Sequence, residues 1–286
     1  MLSFLSPQAA AFLVDVARLC VWLTLLSAVF VTLERLFALH PSRVLRPGFA
    51  ADLGYYFLSS LLPGLLLAAP LAVLVWAAHA ALPAGWLAGV AAMPLWARIA
   101  AVFLVGQVGF YWGHRLSHEV PFLWRFHAIH HSAEHIDWLV NTRAHPFDMV
   151  FERLCGLVPL AMLGLAGPAS AGPGGNTAVA LVLVVGTAWG FFIHANVRWR
   201  FGLLEWLVAT PAFHHWHHTN DTANRDRNYS AMLPVLDWLF GTLHLPRHWP
   251  EVYGVDHPVG DTLVQQLAGP LMPDRTARPS ATVREA

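Results

Sequence analysis

The sequence predicts an all-α, polytopic integral membrane protein with about four to five spanning or re-entrant helices and a cytoplasmic helical cap that carries clustered histidines. Three observations indicate this class. The 286-residue chain is 56% hydrophobic and only 12% charged, with a mean hydropathy of +0.50, which is too apolar for an ordinary soluble domain. Several apolar stretches reach the length of about 20 residues that crosses a bilayer. Histidine occurs 17 times and is concentrated in a few segments.

The first two predicted spans are long and apolar. Residues 9–33 form the first span, and Asp15 and Arg18 near its start are spaced to pair on one helix face. Residues 54–79 form the second span, which contains two prolines that are expected to kink it. Both stretches are long enough to cross the hydrocarbon core of a membrane.

The later apolar stretches are less regular. Residues 86–113 are interrupted by Pro94 and Arg98, which predicts a short re-entrant or interfacial piece followed by a helix from about residue 95 onwards. Two further candidates, expected to form a helical hairpin around the uncharged, turn-rich connector 168–176, are residues 147–167 and 177–197.

The arginines indicate the orientation in the membrane. They follow the first, third and last predicted spans, whereas the connectors near 80–86 and 168–176 have none, so the arginine-rich side is expected to be cytoplasmic. The histidine clusters fall on that same side. All 17 basic residues are arginine, which points to a GC-rich bacterial gene and hence to the inner membrane. No cleavable signal peptide is apparent at the N-terminus.

Charge and cysteine content exclude other classes. The formal net charge is zero and no basic stripe is present, so a nucleic-acid partner is not expected. Cys20 and Cys155 lie in apolar stretches without metal-type spacing and are interpreted as small buried side chains.

Residues 1–264 are expected to form a single membrane-embedded catalytic domain, and residues 265–286 a mobile C-terminal tail.

Three histidine clusters have the spacing of metal ligands. One is H-x-x-x-H at the end of the third predicted span, and two are H-x-x-H-H, of which the second follows a good helix start at Thr210 and Pro211. Each set shares one helix face, although either His214 or His215 could pair with His218. The clusters are His114 and His118; His127, His130 and His131; and His214, His217 and His218.

Eight imidazoles at this spacing imply two metal ions. Imidazole suits zinc, copper, iron and nickel, and a single zinc ion uses at most four protein ligands. Glu119 and Asp137 are candidates to orient a ligand ring through its other nitrogen. Isolated histidines such as His257 are expected to have no metal role.

The clusters in this order resemble the fatty acid hydroxylase/sterol desaturase superfamily. Further matches are RAHP at 143–146, FIHAN at 192–196, Asn228 with Tyr229, and LDWLFGT at 236–242. The resemblance implies a membrane-embedded non-haem di-iron enzyme that uses O₂ and two electrons to hydroxylate or desaturate an unactivated C–H bond of a lipid, such as a sterol or fatty-acyl chain.

The resemblance also implies roles for individual residues and partners. The ligands of the two iron ions would be the eight cluster histidines together with His194. The residues implied to surround and support the ligands without binding the ions are His145, His215, Asn196 and Asn228, with His215 directed away from the metals. The lipid substrate would enter from the bilayer. Electrons would come from a separate reductase or a ferredoxin- or cytochrome b5-type protein, because the chain carries no flavin or nicotinamide fingerprint and no fused cytochrome b5 domain.

Two other functions remain open from the sequence. A zinc-dependent membrane hydrolase would carry a general-base glutamate, as in H-E-x-x-H, and this motif does not occur. A non-enzymatic metal carrier or haem-binding membrane protein would place its ionisable residues near the bilayer midplane or as pairs of single histidines on spans. The position of the clusters at the ends of the spans counts against the metal carrier and the haem-binding protein.

Overall fold

The described part of the protein is helical, as the sequence predicts. The computed structural model describes residues 6–166, 175–257 and 259–272, and within these ranges it has ten α-helices, three short 3₁₀ helices and no β-strand. The α-helices are α1 (Pro7–Phe37), α2 (Phe49–Ala81), α3 (Ala84–Ala92), α4 (Leu95–Glu119), α5 (Pro121–His131), α6 (Pro146–Met162), α7 (Gly175–His194), α8 (Pro211–His217), α9 (Pro234–Leu239) and α10 (Leu263–Ala268). The 3₁₀ helices are Trp138–Thr142, Gly202–Trp206 and Gly269–Leu271.

Four of the described helices, α1, α2, α4 and α7, are long and apolar enough to cross a membrane. The predicted spans 9–33 and 54–79 lie inside α1 and α2, and α2 continues through both of its prolines. The protein is therefore a polytopic integral membrane protein.

The short piece predicted before residue 95 is α3. Arg98 lies in the first turn of α4, and its guanidinium donates to the carbonyl oxygens of Val90 at 2.5 Å and Ala91 at 2.9 Å. These carbonyls are in the last turn of α3, which lacks the hydrogen bonds of a continuing helix, and that of Val90 also accepts from the N–H of Met93 at 3.2 Å. A buried arginine in an apolar stretch is thus explained by a helix terminus that it satisfies.

The stretch 147–167, predicted as a span candidate, forms a shorter helix. α6 has 17 residues and is not among the four spanning helices. It ends at Met162 because Gly164 adopts a left-handed backbone with φ of 72°, a conformation that stops a helix. Most of the connector 168–176 lies outside the described residues.

The predicted tail is described only in part. Residues 265–268 belong to α10, and the side chain of Arg125 donates to the carbonyl oxygens of Pro270 and Met272. Residues 273–286 lie outside the described residues, so the domain boundary at residue 264 and the mobility of the tail stay predictions.

α4 is the central helix of the bundle and packs against α5, α6 and α7. Two glycines let α6 come close: a Cβ atom at Gly109 would overlap the backbone of Cys155, and one at Gly113 would overlap the Cys155 side chain. The carboxyl ends of α4 and α7, which carry His118 and His194, both reach the cap formed by the shorter helices.

The end of α1 is joined to the same region. The Glu34 carboxylate accepts hydrogen bonds from the backbone N–H groups of Trp138 at 2.8 Å and Asn196 at 2.9 Å. The backbone after α1 also pairs with the segment after α7, through Ala38 and Val197. These contacts hold the segments that follow α5 and α7 against the first span.

Candidate metal centre

Local helix signals place each histidine cluster. α4 ends at Glu119 and Pro121 begins α5, as the sequence predicts, since proline is favoured in the first turn. The hydroxyl of Thr210 caps α8 by accepting from the backbone N–H of Phe213, and Pro211 is the first residue of that helix. The clusters therefore lie on α4, α5 and α8, with His194 at the end of α7.

The fold brings nine buried histidines together in two groups. In each group the potential ligand atoms all lie within 4.8 Å of one another. The first group is His114, His118, His127, His131 and His217, and the second group is His130, His194, His214 and His218. These are the nine residues named as ligands from the sequence, and their binding of a metal stays a prediction.

In the second group the Nε2 atoms are too close to be explained by hydrogen bonds alone. The Nε2 atom of His194 lies 3.0 Å from that of His214 and 3.2 Å from that of His218, and the latter two are 3.1 Å apart. Each hydrogen bond needs one donor and one acceptor. Three nitrogens in a triangle cannot satisfy three such bonds.

The hydrogen bonds of the Nδ1 atoms show that the Nε2 atoms of the same rings carry lone pairs. Nδ1 of His194 donates to the carbonyl oxygen of Gly190 at 2.7 Å, and Nδ1 of His130 donates to that of Arg143 at 2.9 Å. A carbonyl can only accept, so in the neutral rings the Nε2 atoms are unprotonated. These two Nε2 lone pairs face each other across 3.2 Å, an arrangement that a bound cation would stabilise.

The first group has the same arrangement. Nδ1 of His114 donates to the carbonyl oxygen of Tyr229 at 2.7 Å, and Nδ1 of His217 donates to that of Arg227 at 2.9 Å. The Nε2 atom of His114 lies 3.2 Å from that of His127. Within the described chain, the buried Nε2 atoms of His217 and His131 have no hydrogen-bond partner. The Nε2 atoms of His131 and His217 are thus also available to a ligand shared by this group.

Two carboxylates contact two further rings of the first group. Oδ2 of Asp148 accepts from Nδ1 of His127 at 2.9 Å, and Oδ1 of Asp226 lies 3.1 Å from Nδ1 of His118. A carboxylate in this position fixes the ring orientation and increases the basicity of the metal-binding nitrogen. Sequence reasoning named neither residue.

The distances fit metal coordination. Two imidazole nitrogens that each lie about 2.1 Å from one ion, at right angles, stand about 3.0 Å apart, and the observed separations of Nε2 atoms are 3.0–3.2 Å. Both groups consist of imidazole alone, which suits iron, zinc, copper or nickel better than magnesium or calcium.

Burial keeps the cap histidines neutral. Desolvation, together with a smaller contribution from neighbouring histidines, lowers the pKa of His130 to about 4 and that of His217 to about 3. The same causes hold the pKa values of His131, His214 and His218 well below 6.5. Near pH 7 these rings are therefore uncharged, which is the form that ligates metals.

The structure distinguishes His214 from its neighbour. His214 lies in the second group, whereas His215 faces away, with Nδ1 3.0 Å from the Tyr253 hydroxyl and Nε2 3.1 Å from the carbonyl oxygen of Ala195. The sequence left this choice open because both residues are spaced to pair with His218.

The other three residues that the resemblance places around the metals make hydrogen bonds to the backbone. Asn228 has a left-handed φ of 58° and donates to the carbonyl oxygens of Phe213 and His244. Asn196 exchanges two hydrogen bonds with the backbone of His40. His145 caps α6 by accepting from the N–H of Phe147 at 3.1 Å. Each of them holds a segment that carries a histidine of the two groups or a residue that hydrogen-bonds to such a histidine.

The carboxylates proposed from the sequence as ring-orienting partners have other roles. Glu119 pairs with Arg115 at 2.8 Å, and Asp137 pairs with Arg46 at 2.6 Å. Asp148 could have been suspected as an acidic residue at the start of an apolar helix. Its contact with His127 depends on the close approach of α6, which the sequence pattern does not show.

Comparisons with known proteins match the part of the chain that carries the histidine groups. A model of the fatty acid hydroxylase family matches residues 99–242, a range that contains all nine histidines. Ornithine lipid hydroxylase OlsE of Rhizobium tropici is 35% identical over 179 residues, covering 62% of this chain and 51% of that protein. Alkylglycerol monooxygenase of Danio rerio is 30% identical over 158 residues, covering 55% and 33%. Methylsterol monooxygenase 2-2 of Arabidopsis thaliana is 28% identical over 156 residues, covering 52% and 55%.

The matched part is limited in length. This chain spans between 33% and 55% of these three relatives. No solved structure matches it significantly.

Proposed function

Because this chain belongs to the fatty acid hydroxylase family, we propose that it is a membrane-bound non-haem di-iron oxidoreductase that hydroxylates an unactivated C–H bond of a lipid. The observation that carries the proposal is the convergence of nine buried imidazoles in groups of five and four. Six of the nine Nδ1 atoms contact a backbone carbonyl or carboxylate oxygen, and Nε2 atoms within each group lie close together. This arrangement supports two adjacent ions held by nitrogen ligands.

Two bound iron ions would supply O₂ activation and the oxidising power for C–H cleavage, which no amino acid side chain provides. Overall, a C–H bond, O₂, two electrons and two protons give an alcohol and water. The first group would hold one ion and the second group the other. The carbonyl oxygens of Gly190 and Arg143, with Asp148, keep the ligand rings in the orientation and tautomer that direct the Nε2 lone pairs to the ions.

The geometry favours this chemistry over the alternatives from the sequence. A catalytic zinc ion uses about three protein ligands, fewer than either group offers. Two axial histidines would lie on opposite faces of a haem, with the iron between their nitrogens. The Nε2 atoms here lie only 3.0–3.2 Å apart, which leaves no room for a haem between them. Two neighbouring ions fit this ligand number.

The substrate is proposed to be an amphipathic lipid. The three relatives are named for ornithine lipid, alkylglycerol and methylsterol, which share a large apolar part and a polar part. Their names describe hydroxylases and monooxygenases, which favours hydroxylation over desaturation. The groups lie at the ends of spanning helices α4 and α7, where a lipid could approach from the bilayer.

The proposed setting follows from the arginine distribution. We place the site on the cytoplasmic face of a bacterial inner membrane, since the arginines follow the spans that lead to the histidine groups. The two electrons would be delivered there by a separate reductase, ferredoxin or cytochrome b5-type protein.

Metal analysis tests the proposed centre. Protein purified in detergent after iron-replete expression is assayed for iron and zinc per chain, and iron-isotope-enriched protein is examined by Mössbauer spectroscopy. We expect two iron ions per chain with the spectrum of a coupled pair. One zinc ion with no iron would contradict the proposal and favour a hydrolase.

An isotope experiment tests the reaction. Cells that express the protein are grown under isotopically labelled O₂, and their lipids are analysed by mass spectrometry beside cells that express the His217→Ala variant. We expect a lipid that has gained one labelled oxygen atom only with the unaltered protein. Iron-loaded protein that labels no lipid in membranes containing ornithine lipids, alkylglycerols and sterols would count against hydroxylation.

A further inference from the structure

Two short helices of the cap expose their apolar side chains and bury their acidic ones. The 3₁₀ helix Gly202–Trp206 and α9 contact each other. Their apolar side chains face outward: Leu203 is 86% exposed, and Trp238 and Leu239 are each 63% exposed. Their acidic side chains face inward, with Glu205 only 2% exposed and Asp237 fully buried. We call the outward surface the α9 face; it consists of Leu203, Leu204, Trp206, Leu207, Val235, Trp238 and Leu239.

The inward carboxylates are fully engaged in the protein. Glu205 pairs with Arg200 at 3.0 Å and accepts from the N–H of Phe201 at 2.7 Å. Asp237 accepts from the backbone N–H groups of Tyr229 at 2.6 Å and Ser230 at 3.0 Å. A water-facing surface would instead present the charges outward and avoid a contiguous apolar patch. The α9 face therefore lacks the composition of a surface in water.

The α9 face continues the lipid-facing surface of a spanning helix. α4 exposes a stripe of apolar side chains spaced four residues apart, and Phe240, next to α9, contacts the ring of Trp112 in that stripe with centroids 5.0 Å apart. The stripe is Leu104, Val108, Trp112 and Leu116. Because α4 crosses the membrane, this contact places α9 beside lipid at the carboxyl end of that helix. Tryptophan is favoured at that depth.

We propose that the α9 face inserts into the boundary between headgroups and acyl chains of the bilayer and anchors the cap to the membrane surface. A short apolar helical surface that lies in the plane of the interface is stabilised there by burial of its outward side chains. Trp206 and Trp238 place two amphipathic rings at this depth.

The anchor is linked to the first histidine group by backbone contacts. Asp237 of α9 accepts from the N–H of Tyr229, and the carbonyl oxygen of Tyr229 accepts from Nδ1 of His114 at 2.7 Å. Insertion of α9 therefore helps to fix the position of a ring in that group. The existence of the anchor does not depend on which metal the histidines bind or on the reaction.

Site-directed spin labelling tests the anchor. In a Cys20→Ser, Cys155→Ala background, Leu203→Cys and Leu239→Cys are each labelled with a nitroxide in the full chain, reconstituted into phosphatidylcholine/phosphatidylglycerol vesicles. Two matched controls are Val184→Cys on the exposed surface of α7 and Glu251→Cys on the exposed surface of the cap. Accessibility to O₂, which partitions into lipid, and to a water-soluble nickel chelate is measured for each label.

We expect the labels at residues 203 and 239 to match the label at residue 184, with high O₂ and low nickel accessibility. Nickel accessibility equal to that of residue 251 would place the α9 face in water and overturn the proposal. Protection from both reagents would also overturn it, because the face would then be covered by protein, such as a second copy of the chain. Two positions on different helices guard against a local effect of one substitution.

Discussion

The Nδ1–H of His130 donates to the backbone carbonyl of Arg143 across 2.9 Å, and the guanidinium of Arg143 is held by Asp52 at the start of α2. Asp52 also pairs with Arg46 at 2.8 Å, and Arg46 binds Asp137 at 2.6 Å. All four charged side chains are buried. This ion network ties the segment that orients His130 to the second span, outside the stretch that carries the histidine clusters.

Arg143→Ala is expected to destabilise the protein and to weaken the second group. Removing one partner from a buried ion pair costs about 3–5 kcal/mol, because the remaining charge stays buried. We expect a lower melting temperature and a fall from two bound ions per chain towards one. The control is Arg18→Ala, whose partner Asp15 is exposed, and it should change neither quantity. Unchanged metal content in Arg143→Ala would show that the network does not position His130.

His217→Ala is expected to abolish turnover and to lower metal occupancy. Its Nε2 is a buried inward-facing nitrogen of the first group, and no other side chain in α8 can replace it there. His257→Ala changes an exposed residue and should keep both the metal and the activity. Iron content per chain and product formation are measured together. Near-normal turnover in His217→Ala would end its assignment as a ligand.

Asp148→Asn is expected to lower metal affinity while the protein remains folded. The amide keeps the shape of the carboxylate but loses the charge that orients His127, and loss of such a partner typically costs about 10- to 100-fold in affinity or activity. Metal retention is measured during titration with a chelator. Glu119→Gln is the matched control, because Glu119 pairs with Arg115 and not with a group member. Equal retention in both variants would refute this role for Asp148.

Gly109→Ala is expected to push α4 and α6 apart. The added Cβ would overlap the backbone carbonyl of Cys155, and overpacking of this kind costs about 1–3 kcal/mol. Gly106→Ala on the same helix would meet only Leu160 Cδ1 at 3.9 Å, an ordinary contact. Thermal unfolding followed by tryptophan fluorescence should show a lower midpoint for Gly109→Ala alone. Equal midpoints would mean that the interface is loose at Gly109.

The arginine asymmetry predicts the topology. A cysteine introduced in the connector 168–176 should react with a membrane-impermeant reagent from the periplasm, and one near the C-terminus should react only from the cytoplasm. Labelling of intact cells and of inverted vesicles distinguishes the two sides. The reverse pattern would place the histidine groups on the periplasmic face.

Much of the membrane architecture was predictable because it depends on local composition. Apolar length predicted α1, α2, α4 and α7, and the Pro121 and Thr210–Pro211 signals predicted the starts of α5 and α8. The shortening of α6 was missed, since the left-handed turn at Gly164 leaves hydropathy unchanged. Hydropathy also could not show that the apolar residues of α9 face outward, because a six-residue helix has too few positions to define a face.

The sequence by itself determined which histidines share a helix face, because spacing along one helix is a local property. Only the tertiary structure decided how the histidines are distributed between the two groups. Adjacent His130 and His131 enter different groups, and His214 enters the second group while His215 turns to Tyr253. These assignments depend on contacts between residues far apart in the chain, such as His130 with His194, 64 positions later. Helical periodicity carries no information about which distant helix supplies the neighbouring ring, so packing of α4, α5, α7 and α8 settles it.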